Sequence, residues 1–175
     1  MEPRVVEVFI EISKNSRIKY EYDKKRNALV CDRVLHAPFS YNFNYGFIPD
    51  TLSEDGDPVD VVVLMDDELV PGSYIKCIIL GCLQTSDDKG DDPKLIACPC
   101  PSVDPTYTFS DIADVSPHTI EKIRYFFQHY KDLENKHVTI GNFLNSEQAY
   151  HILDKSINAF ANPHLVEVTQ VQIDE

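Results

Sequence analysis

Basic residues are scarce in this chain: 16 Lys and Arg stand against 29 Asp and Glu, for a formal net charge of −13. That shortage argues against a nucleic-acid module that tracks phosphates along a basic groove. It does not exclude a phosphate-bearing small molecule, because bound divalent cations invert the local sign. No apolar segment near the N-terminus approaches transmembrane length, and Val5 to Ile12 is interrupted by Glu7 and Glu11. Neither a membrane anchor nor a secretory leader is therefore expected. Cysteine occurs as Cys31, Cys77, Cys82, Cys98 and Cys100, an odd count without paired Cys-x-x-Cys spacing. Cys98-Pro99-Cys100 lies inside an apolar run and reads as core thiols rather than zinc ligands. Free thiols fit a reducing compartment, so the cytoplasm is the expected location. The 175 residues carry no internal repeat, low-complexity segment or linker. They read as one domain over 1–175, with 163–175 a peripheral tail.

What is present is first a set of strands. Val5 to Ile12 reads as a strand with two acids interleaved, and Ile18 to Tyr22 alternates strictly, with Ile18, Tyr20 and Tyr22 on one face. A third strand around Ala28 to Arg33 makes the opening a meander. The stretch from His36 to Asp50 places Phe39, Tyr41, Phe43, Tyr45 and Phe47 at alternate positions, one side of an extended chain and a core wall. Strands follow at 59–65, from Tyr74 to about Leu83, and from Leu95 to Cys98. Ser116-Pro117 then opens a helix, with Ser as cap and Pro at the first position. Ile120, Ile123, Phe126, Phe127 and Tyr130 keep helical spacing along it. A short strand, 137–143, precedes a second helix from about Ser146 to Phe160.

Two acidic turns punctuate the strands. Asp55-Gly56-Asp57-Pro58-Val59-Asp60-Val61 puts three carboxylates within six residues, and its Gly and Pro favour a tight turn over a helix. Oxygen-only ligands on such a turn suit a hard cation such as Mg2+, although a solvated acidic turn has the same composition. The spacing does not match an EF-hand loop. Asp87-Asp88-Lys89-Gly90-Asp91-Asp92-Pro93-Lys94 is a second such loop, and it too leads into an apolar strand. Two acidic turns feeding apolar strands point to one shared metal site.

With both clusters placed, the chain closely resembles the soluble inorganic pyrophosphatases of the single-domain bacterial type. The segment Asp55 to Val61 matches that family's signature throughout. The resemblance continues through Glu11, Ile18-Lys19-Tyr20-Glu21, Asp32-Arg33, Asn44-Tyr45-Gly46-Phe47-Ile48, Asp87 to Lys94, and Phe127-Gln128-His129-Tyr130-Lys131-Asp132-Leu133. It implies an α+β, mainly β fold: a five-stranded OB-like barrel with additional strands and two C-terminal helices packed outside. It also implies hydrolysis of pyrophosphate to two phosphates with several Mg2+ ions, no nucleic-acid or membrane partner, and a homo-oligomer, with a hexamer favoured. Carried over by position, Asp55, Asp60 and Asp92 would hold the first metal, with Asp60 also reaching the second. Glu21, Asp87 and Asp92 would serve metals that arrive with substrate. Asp57 would face the water between the first two metals, and Tyr45 would stand with it among the catalytic groups. Lys19, Arg33, Lys94, Tyr130 and Lys131 would hold phosphate oxygens, while Glu11, Tyr41 and Asp88 line the site. The chain departs from the pattern at Ser13, where proline is expected, and at Asp88, where many relatives have Glu. With no Trp in the protein, Phe143 alone remains of an aromatic-rich last strand.

The residue types suit that chemistry on their own terms. Pyrophosphate must have its charge neutralised before an anionic nucleophile can approach, and a water shared by two divalent ions ionises near neutral pH. Positioning and charge stabilisation supply the rest; Arg33 can grip a phosphate bidentately, and lysines act as point charges. Three other readings fit parts of the chain: a nucleic-acid-binding barrel, a metal-dependent phosphohydrolase acting on other phosphate esters, and an acidic Ca2+ module. Net charge opposes the first, no base or ribose pocket supports the second, and the interleaved basic residues weaken the third.

Overall fold

The computed structural model describes residues 4–164. Most of the expected tail, 165–175, lies outside the described residues. Nine strands are formed: β1 Val5–Ile12, β2 Ile18–Asp23, β3 Ala28–Val34, β4 Asn44–Phe47, β5 Asp60–Val63, β6 Tyr74–Asp87, β7 Gly90–Asp91, β8 Lys94–Pro99 and β9 Thr139–Asn145. The two helices are α1 Pro117–His129 and α2 Ser146–Ala161. Five strands close into a ring, because β1 pairs with both β4 and β6, and β5 and β8 complete the circuit. Counted in chain order, the ring strands run 1-2-3-5-4 and back to 1, the Greek-key order of an OB-type barrel. All its pairings are antiparallel except β5 with β8. β9 adds to the outer edge of β6.

The opening is not a meander. β2 and β3 form a sheet of their own, while β1 joins the ring. The residues explain the separation. β1 buries Val8, Ile10 and Ile12 on one face and Phe9 on the other, and both of its edges are paired within the ring. β2 and β3 alternate and stay half-exposed along most of their length, which suits a hairpin laid against the ring. One polar link holds it there: the backbone N–H of Tyr22 donates to Oε2 of Glu11 at 2.8 Å.

Alternate residues of the ring strands serve two clusters. Val61, Val63, Leu95 and Ala97 join Val8 and Ile10 under α2, which contributes Ala149 and Leu153. Val62, Ile96 and Cys98 face the other way, with Tyr41, Phe43 and Tyr45, toward Ile123, Phe126 and Phe127 of α1. The aromatic wall is real. Phe43 stacks on Phe127 at 5.6 Å and Tyr41 meets Phe126 at 4.9 Å, pairs typically worth about 0.5–1.5 kcal/mol beyond burial. Of the alternating stretch, however, Asn44–Phe47 alone is strand. Phe47 leaves the stack to pack on Phe9 at 5.2 Å and Tyr22 at 6.3 Å. Four cysteines lie in the core, where burial pushes the Cys98 thiol up to about 11 and that of Cys82 to about 12, and Cys31 is exposed.

The helix starts differ from expectation in one respect. Asn145 closes a capping box with Gln148 at the head of α2. Ser116 precedes α1, but with its backbone at φ −49° and ψ 130° its side chain makes no cap hydrogen bond among the described residues. Pro117, with φ preset for a helix, starts α1 instead.

At Gly46 the ring strands approach without room for a side chain. A Cβ there would lie 1.8 Å from the carbonyl oxygen of Phe9, on a strand that cannot move without opening the ring. Gly46→Ala is expected to lose about 3 kcal/mol or more, the upper end for overpacking. Urea unfolding of the variant checks this, and a midpoint equal to that of the parent would contradict the close β1–β4 approach.

Candidate active site

The two acidic turns meet because β5 and β8 are parallel. Parallel strands begin at the same end of a sheet, and here Asp60, the first residue of β5, stands in register with Lys94, the first of β8. The loops that feed these strands therefore open side by side. In the first, Gly56 adopts φ 88°, the left-handed region, and the N–H of Asp57 donates to Oδ1 of Asp55 at 3.0 Å. In the second, the N–H of Lys89 donates to Oδ1 of Asp87 at 2.9 Å, and that of Asp92 to the carbonyl of Thr85 at 2.9 Å. Both loops are held by their own backbones.

Between them is a cavity of about 380 Å3. Seven carboxylates line it: Glu11 from β1, Glu21 from β2, Asp55, Asp57 and Asp60 from the first turn, and Asp87 and Asp92 from the second. Lys19, Lys94 and Lys131 face the same space, as do Tyr41, Tyr45 and Tyr130. A larger cleft alongside, about 540 Å3, is lined by Phe9, Leu29, Tyr74 and Phe160 and has Lys24 and Asp50 as its charged groups. Convergent charge, not volume, marks the smaller one as the site. Two sequence-predicted residues are not among those that line it. Arg33 stands next to the lining residues Tyr41, Tyr130 and Lys131, paired with Asp32 at 2.5 Å and Glu134 at 2.7 Å, and Asp88 is exposed on its loop. Among the cavity residues that escaped the sequence reading as site residues are Lys24, Lys89 and Phe127. Lys89 sits in the acidic loop, so its position was the available signal; Phe127 was assigned to the core, where it also belongs.

Lys94 is the centre of this arrangement. Its Nζ donates to Oδ2 of Asp60 at 2.5 Å and to Oδ2 of Asp92 at 2.7 Å, and it lies 5.7 Å from the ring centres of Tyr45 and Phe127. Burial works against its charge, but Asp60, Tyr45 and Asp92 outweigh burial and hold the ammonium well above the usual lysine range. The acids stay crowded even so. Burial raises Glu11 to about 7 and, with Asp60 close by, Asp92 to about 6; Asp55 is raised by burial and by Asp57 and Asp60. Lys131 is lowered by burial and by the charges of Lys94, Lys19 and Arg33. Burial raises the Tyr130 phenol to about 12 and holds those of Tyr41 and Tyr45 well above the usual tyrosine range. Lys19 pairs with Glu21 and stands 3.6 Å from Asp32.

The donor chemistry suits a hard divalent cation. All seven acidic groups offer oxygen alone. Three of them, Glu11, Asp55 and Asp92, have raised affinity for protons, chiefly through burial and further through the acids beside them. Among the described residues no three such side chains stand at ligating separation. The Lys94 ammonium lies between two of the expected ligands, where it does part of a cation's work.

Comparison with known proteins gives a consistent picture. The family model for inorganic pyrophosphatase matches residues 8–161. The inorganic pyrophosphatase of Helicobacter pylori is 50% identical over 155 residues, covering 87% of this chain and 90% of that protein. That of Xylella fastidiosa is 44% identical over 161 residues, 90% of each chain. The solved Helicobacter pylori pyrophosphatase superposes with a TM-score of 0.87 at 47% identity, over 92% of this chain and 98% of that one. The Coxiella burnetii structure gives 0.87 at 36% identity, over 91% and 97%.

Glu11 offers a test of the electrostatics without any metal. Its folded-state value of about 7 lies above the ordinary 4.5, so the folded protein holds a proton there that the unfolded chain releases. Stability from this group is present below pH 4.5 and is lost as pH rises through 7. Glu11→Gln keeps an acceptor for the Tyr22 N–H and removes the titration. In metal-free buffer the variant is expected to match the parent at pH 4 and to exceed it by on the order of 2–3 kcal/mol at pH 8. Denaturant titrations at both pH values check this; no gain at pH 8 would mean that the Glu11 carboxylate is well solvated.

Proposed function

The chain belongs to the inorganic pyrophosphatase family, and on that premise we propose that it is a Mg2+-dependent inorganic diphosphatase whose cavity holds pyrophosphate beside several metal ions. The reaction is hydrolysis of pyrophosphate to two phosphates, and the family depends on divalent metal. The observation that supports this site most strongly is the convergence of both acidic turns and Lys94 on one cavity. In the proposed arrangement Asp55, Asp60 and Asp92 hold the first ion, and Asp87 and Glu21 serve ions that arrive with substrate. Bound Mg2+ supplies charge neutralisation and a water that ionises near neutral pH.

The protein's own groups do the rest. Asp57, exposed at the tip of its turn, accepts the proton of the attacking water and orients it. Lys19, Lys94 and Lys131 meet phosphate oxygens as point charges, and Arg33 as a planar fork. Tyr45 and Tyr130, protonated throughout the physiological range, donate hydrogen bonds without adding negative charge. Glu11, Tyr41 and Asp88 shape the surroundings. Lys94 has a double part: its ammonium pairs with Asp60 and Asp92 here, and it would be free to meet a phosphate oxygen were those carboxylates to hold a metal ion. The proposal extends to a single domain over 1–175, a cytoplasmic location and a homo-oligomer, most simply a hexamer. No helix among the described residues is long and apolar enough to cross a membrane.

The direct test is phosphate release from pyrophosphate with and without Mg2+, beside ATP and a simple phosphomonoester. Mg2+-dependent release from pyrophosphate is expected, with Ca2+ binding but failing to support comparable rates because its coordination is longer and looser. Strong activity on the monoester and none on pyrophosphate would sink the reading.

The three acids of the first turn separate by role. Asp55→Asn and Asp60→Asn are expected to weaken metal binding and activity together. Asp57→Asn keeps one hydrogen-bond acceptor but cannot take the proton. It is expected to leave most metal affinity intact, to lower turnover roughly 10²–10⁴-fold, and to shift activity to higher pH. Mg2+ titration of all three variants, with rate followed against pH, distinguishes the roles; loss of metal by Asp57→Asn equal to the others would make Asp57 a ligand.

A further inference from the structure

We infer that Glu134 is a positioning residue for Arg33, setting the plane of the guanidinium that meets substrate phosphate. The inference rests on the assignment of Arg33 to phosphate made above. Arg33 belongs to β3, in the hairpin that stands apart from the ring, while Glu134 ends the short 3-10 turn Asp132–Glu134 that follows Tyr130 and Lys131. Their side chains join these two parts: Nε of Arg33 lies 2.7 Å from Oε1 of Glu134, with 18% and 6% of the side chains exposed. A carboxylate buried to that degree is destabilising unless a cation faces it, and among the described residues Arg33 is that cation. Asn135, in the left-handed region at φ 53°, stops the turn immediately after Glu134 and fixes where its side chain departs.

The pair is oriented without being saturated. An arginine held for stability alone is commonly gripped by a carboxylate in two parallel hydrogen bonds. Here Asp32 accepts from Nη1 and Glu134 stands against Nε at 2.7 Å, while Nε and Nη2 of Arg33 and Oε2 of Glu134 are buried without a hydrogen-bond partner among the described residues. Asp32 thus holds one nitrogen of the fork by a hydrogen bond, Glu134 faces a second as its counter-charge, and the third is uncommitted. The charge of Arg33 reaches Tyr41, Tyr130 and Lys131, all on the cavity wall. Glu134 does not line the cavity, so its influence on the reaction runs through Arg33.

The test is a double-mutant cycle on kcat and KM for pyrophosphate at saturating Mg2+. Glu134→Gln keeps the acceptor but removes the charge that holds the guanidinium. It is expected to raise KM about 3- to 10-fold, the gap between a charged and a neutral hydrogen bond, with kcat changed less than about twofold. In the Arg33→Met background the same substitution is expected to leave KM unchanged. Arg33→Met strands a buried charge, so the cycle is repeated with Arg33→Lys, where a cation still faces Glu134 and the Glu134→Gln effect on KM should shrink. An equal effect of Glu134→Gln in all three backgrounds overturns the positioning role while leaving Arg33 on phosphate. An Arg33→Met enzyme that folds and keeps its parent KM overturns the Arg33 assignment and the inference with it.

Discussion

The ammonium of Lys94, held by Asp60 at 2.5 Å and Asp92 at 2.7 Å, is the interaction on which the site depends. It exists because β5 and β8 run parallel with Asp60 opposite Lys94. Had these strands paired antiparallel, the two acidic turns would open at opposite ends of the sheet and no common cavity would form. The ring closure through β1, β4 and β6 fixes that parallel pair in place, and α1 seals one side with Phe127 against the lysine stem. The fold is thus arranged to bring two like-charged loops together and to keep one cation between them.

That arrangement carries a standing electrostatic imbalance. Seven carboxylates face five lysines across the cavity, and the aromatic wall of Tyr41, Tyr45 and Phe127 keeps part of the field from being screened by water. Burial first, and the neighbouring acids after it, raise the proton affinities of Glu11, Asp55 and Asp92. A protein selected for stability alone would have fewer acids here. The excess is intelligible as affinity held ready for divalent cations and, through them, for a polyanionic substrate. It also accounts for an acidic protein that acts on an anion: the sign of the whole surface matters less than the sign of the loaded site.

Much of this was legible in residue order. Gly56 and Pro58 announced a turn, the β-branched run after Asp60 announced a buried strand, and the spacing of Ile123, Phe126 and Phe127 announced α1. These signals are local, and local physics decides them: allowed φ values, alternation of side chains, and helical periodicity. The chemistry of the candidate site was legible as well, because the acids and lysines are packed into a few short motifs. Where the reading stopped, the deciding contact was distant in sequence. β1 pairs with β4 and β6 rather than with β2, since its face of Val8, Ile10 and Ile12 needs burial that the half-exposed hairpin cannot supply. Phe47 leaves the aromatic stack for Phe9 and Tyr22, and Ser116 is passed over as a cap because Pro117 already sets the first turn.

The sequence by itself determined which residues carry charge, where the turns fall and which segments need burial, all properties of short stretches of chain. Tertiary structure alone decided that Lys94 lies between Asp60 and Asp92, that Arg33 pairs with Glu134, and that Lys24 and Lys89 face the cavity. Each of these depends on strand register and on the closure of the ring. Such long-range pairings are chosen by the burial of the whole core and leave no mark in the spacing of neighbouring residues.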